Sequence, residues 1–202
     1  GSTNVHFIHE YIFTTDLMFE IKNSNNVSIE SSELYSGDFL YLVNSSIFYL
    51  IGNEIVATGY GGILKNLQNV TLENNTILTL PLGTTLSLAN VSDASISGNY
   101  IIGNKAFSVI NNSRNLVIYS NSIFSNKSIH FENSTHFTIE NNLFFANLTA
   151  VELYNVSYST FYGNVFSSNT SYGLLLSDNS SNNVIYANYF RYSKLYGLLI
   201  HN

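Results

Sequence analysis

Cysteine is absent from all 202 residues, so neither a disulfide nor a thiolate metal site can form, although that absence assigns no compartment. Proline occurs once, and only 10% of residues carry charge. Seven Lys and Arg against thirteen Asp and Glu leave a net charge of −6, a balance that argues against a nucleic-acid partner. Long apolar runs are missing too: SIFYLIG (Ser46–Gly52) and GLLLS (Gly173–Ser177) fall far short of the roughly 20 residues a membrane helix needs, so no membrane insertion is expected of this segment. What is present is 45% hydrophobic residues with a polarity built from Asn, Ser, Thr and Tyr, the composition of a folded chain. Gly1-Ser2 reads as a cloning remnant, and residues 3–202 as one domain, a segment of a longer protein.

The pattern φ-x-φ-x-x-N-x-φ, with φ usually apolar, recurs from first positions Val5, Val27, Phe48, Val70, Ala94, Leu116, Phe137, Ser159 and Asn183, in steps of 21 to 24 residues. Its third position is apolar in every unit, from Phe7 and Ile29 to Phe161 and Ile185. So is its eighth, from Ile12 and Leu34 to Phe166 and Phe190. A further alternating pair follows in most units: Phe19/Ile21, Phe39/Tyr41, Phe107/Val109, Ile129/Phe131, Val151/Leu153, Leu174/Leu176 and Leu198/Ile200. Three short period-two segments per unit, with no helical period, predict strands. The expected fold is all-β: a single-stranded right-handed parallel β-helix of about nine coils of about 22 residues, three strands per coil, stacked at about 4.8 Å around one apolar column.

The sixth repeat position is Asn53, Asn75, Asn99, Asn121, Asn142, Asn164 and Asn188 in seven successive coils, after Glu10 and Ser32. It falls between the first and second strands, at a bend that turns polar backbone inside a narrow tube. Asn tolerates the left-handed conformation expected there, and its amide both donates and accepts, so an internal asparagine ladder is predicted. Gly62, Gly173 and Gly197, which precede third strands, are expected to supply positive φ.

The units VTLENNTI, LVIYSNSI, FTIENNLF and NVIYANYF resemble, over the whole chain, the β-helix repeat family shared by pectate lyases, NosD-like periplasmic proteins and surface or viral β-helices. The resemblance implies the fold and leaves activity open, because the family includes lyases, hydrolases, epimerases, adhesins and inert scaffolds. The Tyr-, Asn- and Ser-rich, Lys-poor style also resembles extracellular proteins of archaea and their viruses. Enzymes of this shape gather Asp or Glu with Lys or Arg on the outer face of one sheet. Here Glu30 and Glu73 are two coils apart with Ile51 between them, and Glu33 and Glu54 are neighbours without an Asp. The weak catalytic candidates are His130 and Glu152, outward on adjacent third strands, with an incidental solvated pair as the alternative. No Lys or Arg lies in register with any of these acids. No cofactor and no metal site is expected.

Twelve N-x-S/T triplets occur where about six would arise by chance. Asn44, Asn90, Asn133, Asn155 and Asn179 share one repeat position, and Asn126, Asn147 and Asn169 another, both in expected surface loops. They read as N-glycosylation sites or as turn chemistry. The outward row Tyr119, Glu140, Tyr162 and Tyr186, with Tyr189 close by, reads as a flat binding strip for sugars or a protein surface, or as scattered tyrosines of a Tyr-rich chain. The expected function is a non-catalytic scaffold and recognition rod, extracellular or on a cell or virion surface. Its expected partners are a cell-envelope glycan or surface protein, with further domains or chains covering its ends. The alternative is a carbohydrate-active lyase- or hydrolase-like β-helix.

Overall fold

The structure, a computed structural model, describes residues 3–80, 84–127 and 129–201, so Gly1-Ser2 lies outside it. Each described strand pairs in parallel with the strand one coil further along, and the register follows the repeat. The third-position residues Phe7, Ile29, Leu50, Leu72 and Ile96 stand opposite one another, and the column continues through Ile118, Ile139, Phe161 and Ile185. The eighth-position residues align likewise from Ile12 to Phe190. Both columns are fully buried in the central coils and become half-exposed only in the end coils. The chain is therefore a right-handed parallel β-helix of nine coils, about 40 Å long at about 4.8 Å per coil.

Two sheets wrap the column. Second segments form a nine-stranded sheet; first and third segments merge into a 14-stranded sheet. They merge because the third segment of one coil runs straight into the first segment of the next, as in strands Asp38–Ile51, Gly62–Glu73, Thr84–Ser97 and Ile129–Glu140. The corners inside these long strands each hold two left-handed residues, Asn44 and Ile47, Asn66 and Asn69, Asn90 and Asp93, and Asn133 and His136, with φ between 47° and 59°. Asparagine visits that region at low cost among residues with a side chain.

Three details differ from the sequence expectation. The left-handed residue at the first-to-second bend is the one before the ladder position: Ser31, Gly52, Asn74, Gly98, Ser120, Asn141, Gly163 and Ala187. Gly62, Gly173 and Gly197 do not take positive φ. Gly173 and Gly197 are glycine because of close approach: a Cβ on Gly173 would sit 2.6 Å from the Gly197 carbonyl oxygen, and one on Gly197 would sit 2.9 Å from Phe190 Cβ, whereas one on Gly62 would meet only Leu86 Cδ1, at 3.2 Å. In the second coil the inward pair is Leu40/Leu42, in register with Phe19/Ile21, so Tyr41 points outward and Phe39 packs at the corner.

The ladder itself is present and continuous. From Asn53 to Asn188 each Nδ2 donates to the Oδ1 of the next asparagine at 2.9–3.0 Å. Each Oδ1 also accepts the backbone N–H of the asparagine before it, and the ladder is capped at its start by Ser32 N–H on Asn53 Oδ1. The second amide proton reaches a strand carbonyl, such as Ile118 O for Asn142. The residues flanking the bend keep coil-to-coil backbone bonds, such as Asn141 N–H to Tyr162 O and Leu143 N–H to Asn121 O, so what each amide adds is an acceptor for the buried N–H of the ladder residue before it and a donor to a strand carbonyl. The polar first positions Ser159 and Asn183 repeat the device on a small scale: Phe137 N–H donates to Ser159 Oγ, and Ser159 N–H to Asn183 Oδ1.

Replacing Asn142 with Leu removes the Oδ1 that accepts both the N–H and the Nδ2 of Asn121 and the Nδ2 that reaches the Ile118 carbonyl, and leaves Asn164 Oδ1 with only the backbone N–H of residue 142. The expected cost is on the order of 3 kcal/mol, read from urea or thermal unfolding; a parental melting curve would contradict this role for the ladder.

Candidate functional site

The exposed corners carry asparagine rows of their own. Asn66 Nδ2 donates to Asn44 Oδ1 at 2.8 Å, and Asn90 Nδ2 to Asn66 Oδ1 at 3.0 Å. Asn155 donates to Asn133 at 2.8 Å, while Asn133 donates to Glu132 Oε1. Asn44, Asn90, Asn133, Asn155 and Asn179 all have positive φ, so their corner demands a residue of this kind whatever else it does. Asn126, Asn147 and Asn169 form a separate exposed row with Asn104, at 3.0, 2.6 and 2.7 Å. The triplet excess follows from these rows; Asn126, Asn147, Asn169 and Asn179 sit at surface turns as expected, whereas Asn44, Asn90, Asn133 and Asn155 lie at corners within strands and not in loops.

The tyrosine strip is aligned as the repeat implies, except at one residue. Tyr119, Glu140, Tyr162 and Tyr186 stand in register on the outer face of the large sheet. The Tyr162 and Tyr186 rings stack, with centroids 4.7 Å apart and planes 27° from parallel. Tyr189 belongs to the other sheet, where it pairs with Val165, so it lies around the bend from the strip.

His130 and Glu152 are brought together. They are opposite one another on adjacent strands, and Glu132, on the strand of His130, completes the group. His130 Nε2 lies 3.1 Å from Glu132 Oε2, a hydrogen bond, and Nδ1 lies 3.8 Å from Glu152 Oε2, an ion pair at longer range. Glu152 foremost, and Glu132 with it, hold the imidazole pKa above its ordinary value against the opposing pull of partial burial. Lys105 and Lys127 line the same shallow depression, of about 370 Å³, with Leu148 beside them. No Lys or Arg is in register with these acids, and the two lysines reach the depression from outside that register. Lys105 opens the third strand of its coil, and Lys127 lies in the turn before the next third strand, where its N–H bonds Asn104 O. Glu132 was also missed, although its spacing of two from His130 places it on the same outer face. Glu30, Ile51 and Glu73 align as read, and Glu33 and Glu54 are direct neighbours.

A repeat-built β-helix with aromatic and acidic rows on its outside is the class these observations define. The chain belongs to the NosD family: the profile described as "Periplasmic copper-binding protein (NosD)" matches residues 20–196. That description places the family outside the cytoplasm, in keeping with an extracytoplasmic setting for this chain. Among solved structures, the A-module of Azotobacter vinelandii mannuronan C-5 epimerase AlgE4 superposes with a TM-score of 0.65 at 16% identity, over 98% of this chain and 62% of that one. The AlgE6 A-module from the same organism gives 0.49 at 15% identity, over 89% and 64%. The chain thus spans less than two thirds of either module, and at such identity the likeness is one of fold. A search of curated proteins returns no match.

Copper does not fit the donors present. There is no Cys, the sole Met is Met18, and the five His are dispersed. Among the described residues no three His, Cys, Asp or Glu gather into a metal-holding group. Imidazole and thioether are the ligands copper favours, and both ring nitrogens of His130 are turned to carboxylates. No chemistry through copper follows for this chain.

The raised His130 pKa makes the contact pH-dependent. Its folded pKa lies above the unfolded value of about 6.5, so the stabilisation is complete below about pH 6.5 and is lost as pH rises through the folded value. Glu152→Gln should lower the His130 pKa in an NMR titration and should depress the melting temperature at about pH 5.5 more than at about pH 8.5. An unchanged titration would remove Glu152 from the group.

Proposed function

We propose that this chain is a glycan-recognition rod outside the cytoplasm, at the periplasmic or cell-surface side, that holds its ligand without turning it over. The observation that carries the reading is the Tyr162–Tyr186 stack at one-coil spacing. Successive coils rise by about 4.8 Å, a step comparable to one pyranose residue along a polymer, so aligned rings offer successive platforms to successive sugars. Aromatic faces bind in this way with little loss of side-chain freedom. N-glycans on the Asn44/Asn90 row and the Asn126/Asn147/Asn169 row belong to the same reading. At one-coil spacing a bulky glycan fits at alternate coils at most. Flanking domains or partner chains would meet the end coils, where Ile8 and Ile200 are largely exposed.

A second reading is favoured by one observation, the grouping of His130, Glu132 and Glu152 with two lysines. A carboxylated sugar polymer is the substrate class suited to it: the lysines would face the carboxylate and the imidazole would move a proton.

A glycan array with the purified chain, followed by a Tyr162→Ala, Tyr186→Ala double variant, tests the first reading. The variant should keep its melting curve and lose affinity by about tenfold or more; full binding would contradict it. The same glycans, incubated and assayed for new reducing ends, unsaturated uronate absorbance or changed epimer ratio, should return unaltered. Product that disappears with His130→Ala would move the function to the second reading.

A further inference from the structure

The outer face of the second sheet is chemically unlike the corresponding face on the first segments. There the outward row is largely polar, with Thr71, Ser95, Thr138 and Thr160 sharing it with Tyr49 and Val117. On the second sheet the residue after the inward position is itself apolar in six consecutive coils, where Tyr35, Val56, Leu78, Ile102, Phe124 and Phe145 align before Ser167 and Arg191 end the row. Each of the six apolar residues is only half-buried. The Phe124 ring lies 5.4 Å from Tyr100 and 6.1 Å from Phe145, and the two phenylalanines border a shallow depression of about 210 Å³ that ends at Arg191. The same repeat thus makes this outward row largely polar on the first segments and apolar on the second. Parallel sheets apolar on both faces are, as a rule, covered on both.

Charge on this sheet is polarised. Glu33 and Glu54, in its second and third coils, are the acids of its described strands, and Arg191, in the last coil, is the cation. We propose that this face is where two copies of the chain pack together, antiparallel, about a two-fold axis lying in the interface and crossing the rods between Ile102 and Phe124. That axis sets the apolar row of one copy on that of the other and brings Glu33 and Glu54 onto Arg191 of the second copy; parallel rods would set like charges on like. Nine strands at about 4.8 Å and four residues at about 3.3 Å give each face about 570 Å², so a pair covers about 1,100 Å², just below the standard range for specific interfaces. The dimer is therefore reversible. The Tyr162/Tyr186 strip, on the other sheet, stays free in it.

Sedimentation equilibrium of the purified chain from low micromolar to near-millimolar concentration should show a monomer–dimer equilibrium. Phe124→Glu with Phe145→Glu, at an unchanged circular-dichroism spectrum, should weaken it at least about tenfold, while Thr138→Glu on the other sheet leaves it as it was. Should the double variant fail to fold, Val56→Lys is the replacement. Arg191→Glu should weaken the dimer and the added Glu33→Lys restore it. A chain monomeric throughout, or a Phe124/Phe145 variant that dimerises like the parent, overturns the proposal; loss without rescue in the charge swap overturns its antiparallel arrangement.

Discussion

Everything in this molecule depends on how a chain can turn a sharp corner every coil without abandoning its backbone polar groups inside a narrow tube. Coil-to-coil backbone hydrogen bonds satisfy the straight segments and the residues flanking the bend between first and second segments, but the N–H of the ladder residue itself turns to a side chain. The asparagine ladder supplies it. One carboxamide presents two donors and two acceptor sites, and here the next amide, the previous backbone N–H and a strand carbonyl use them. Because every rung bonds the rung above and below, the ladder also sets the vertical register of the coils. The apolar columns drive collapse, being non-directional. The ladder selects which collapsed arrangement is native.

That division of labour explains what the outer faces are free to do. With the interior holding register, outward positions carry little structural duty and can diverge sheet by sheet. One outer row became tyrosine-rich, another a run of apolar residues, and the third segments gathered a histidine between carboxylates. Function on such a rod is written as rows at coil spacing, which is why a ligand with its own repeat, such as a polysaccharide, matches it in geometry.

The inward columns were legible in the sequence because apolar period two and a repeat near 22 residues are set by the core alone. The location of the left-handed residue was not. Ser31, Gly52, Asn74, Gly98 and Ala187 share a conformation but no side-chain chemistry, whereas the neighbouring ladder asparagines are conspicuous without being left-handed. The second coil was misread by one residue because Phe39, Leu40, Tyr41 and Leu42 are all apolar and erase the alternation. Of the His130 group, the pair His130 and Glu152 followed from register. Lys105 and Lys127 did not, since they occupy an equivalent position of successive coils that precedes the one shared by Ser108 and His130 and so lie outside the register of the acids. The apolar outer row was readable as one further repeat position and is obscured only by lying beside a buried one.

The central claim is that the ladder amides lock the coils together, and side-chain amide hydrogen exchange measures it most directly. Asn75, Asn99, Asn121 and Asn142 should exchange as slowly as the most protected strand N–H groups, and orders of magnitude more slowly than the chemically identical amides of the exposed row Asn126, Asn147 and Asn169. Ladder amides that exchange as fast as the exposed row would show that the register is held by the apolar columns alone.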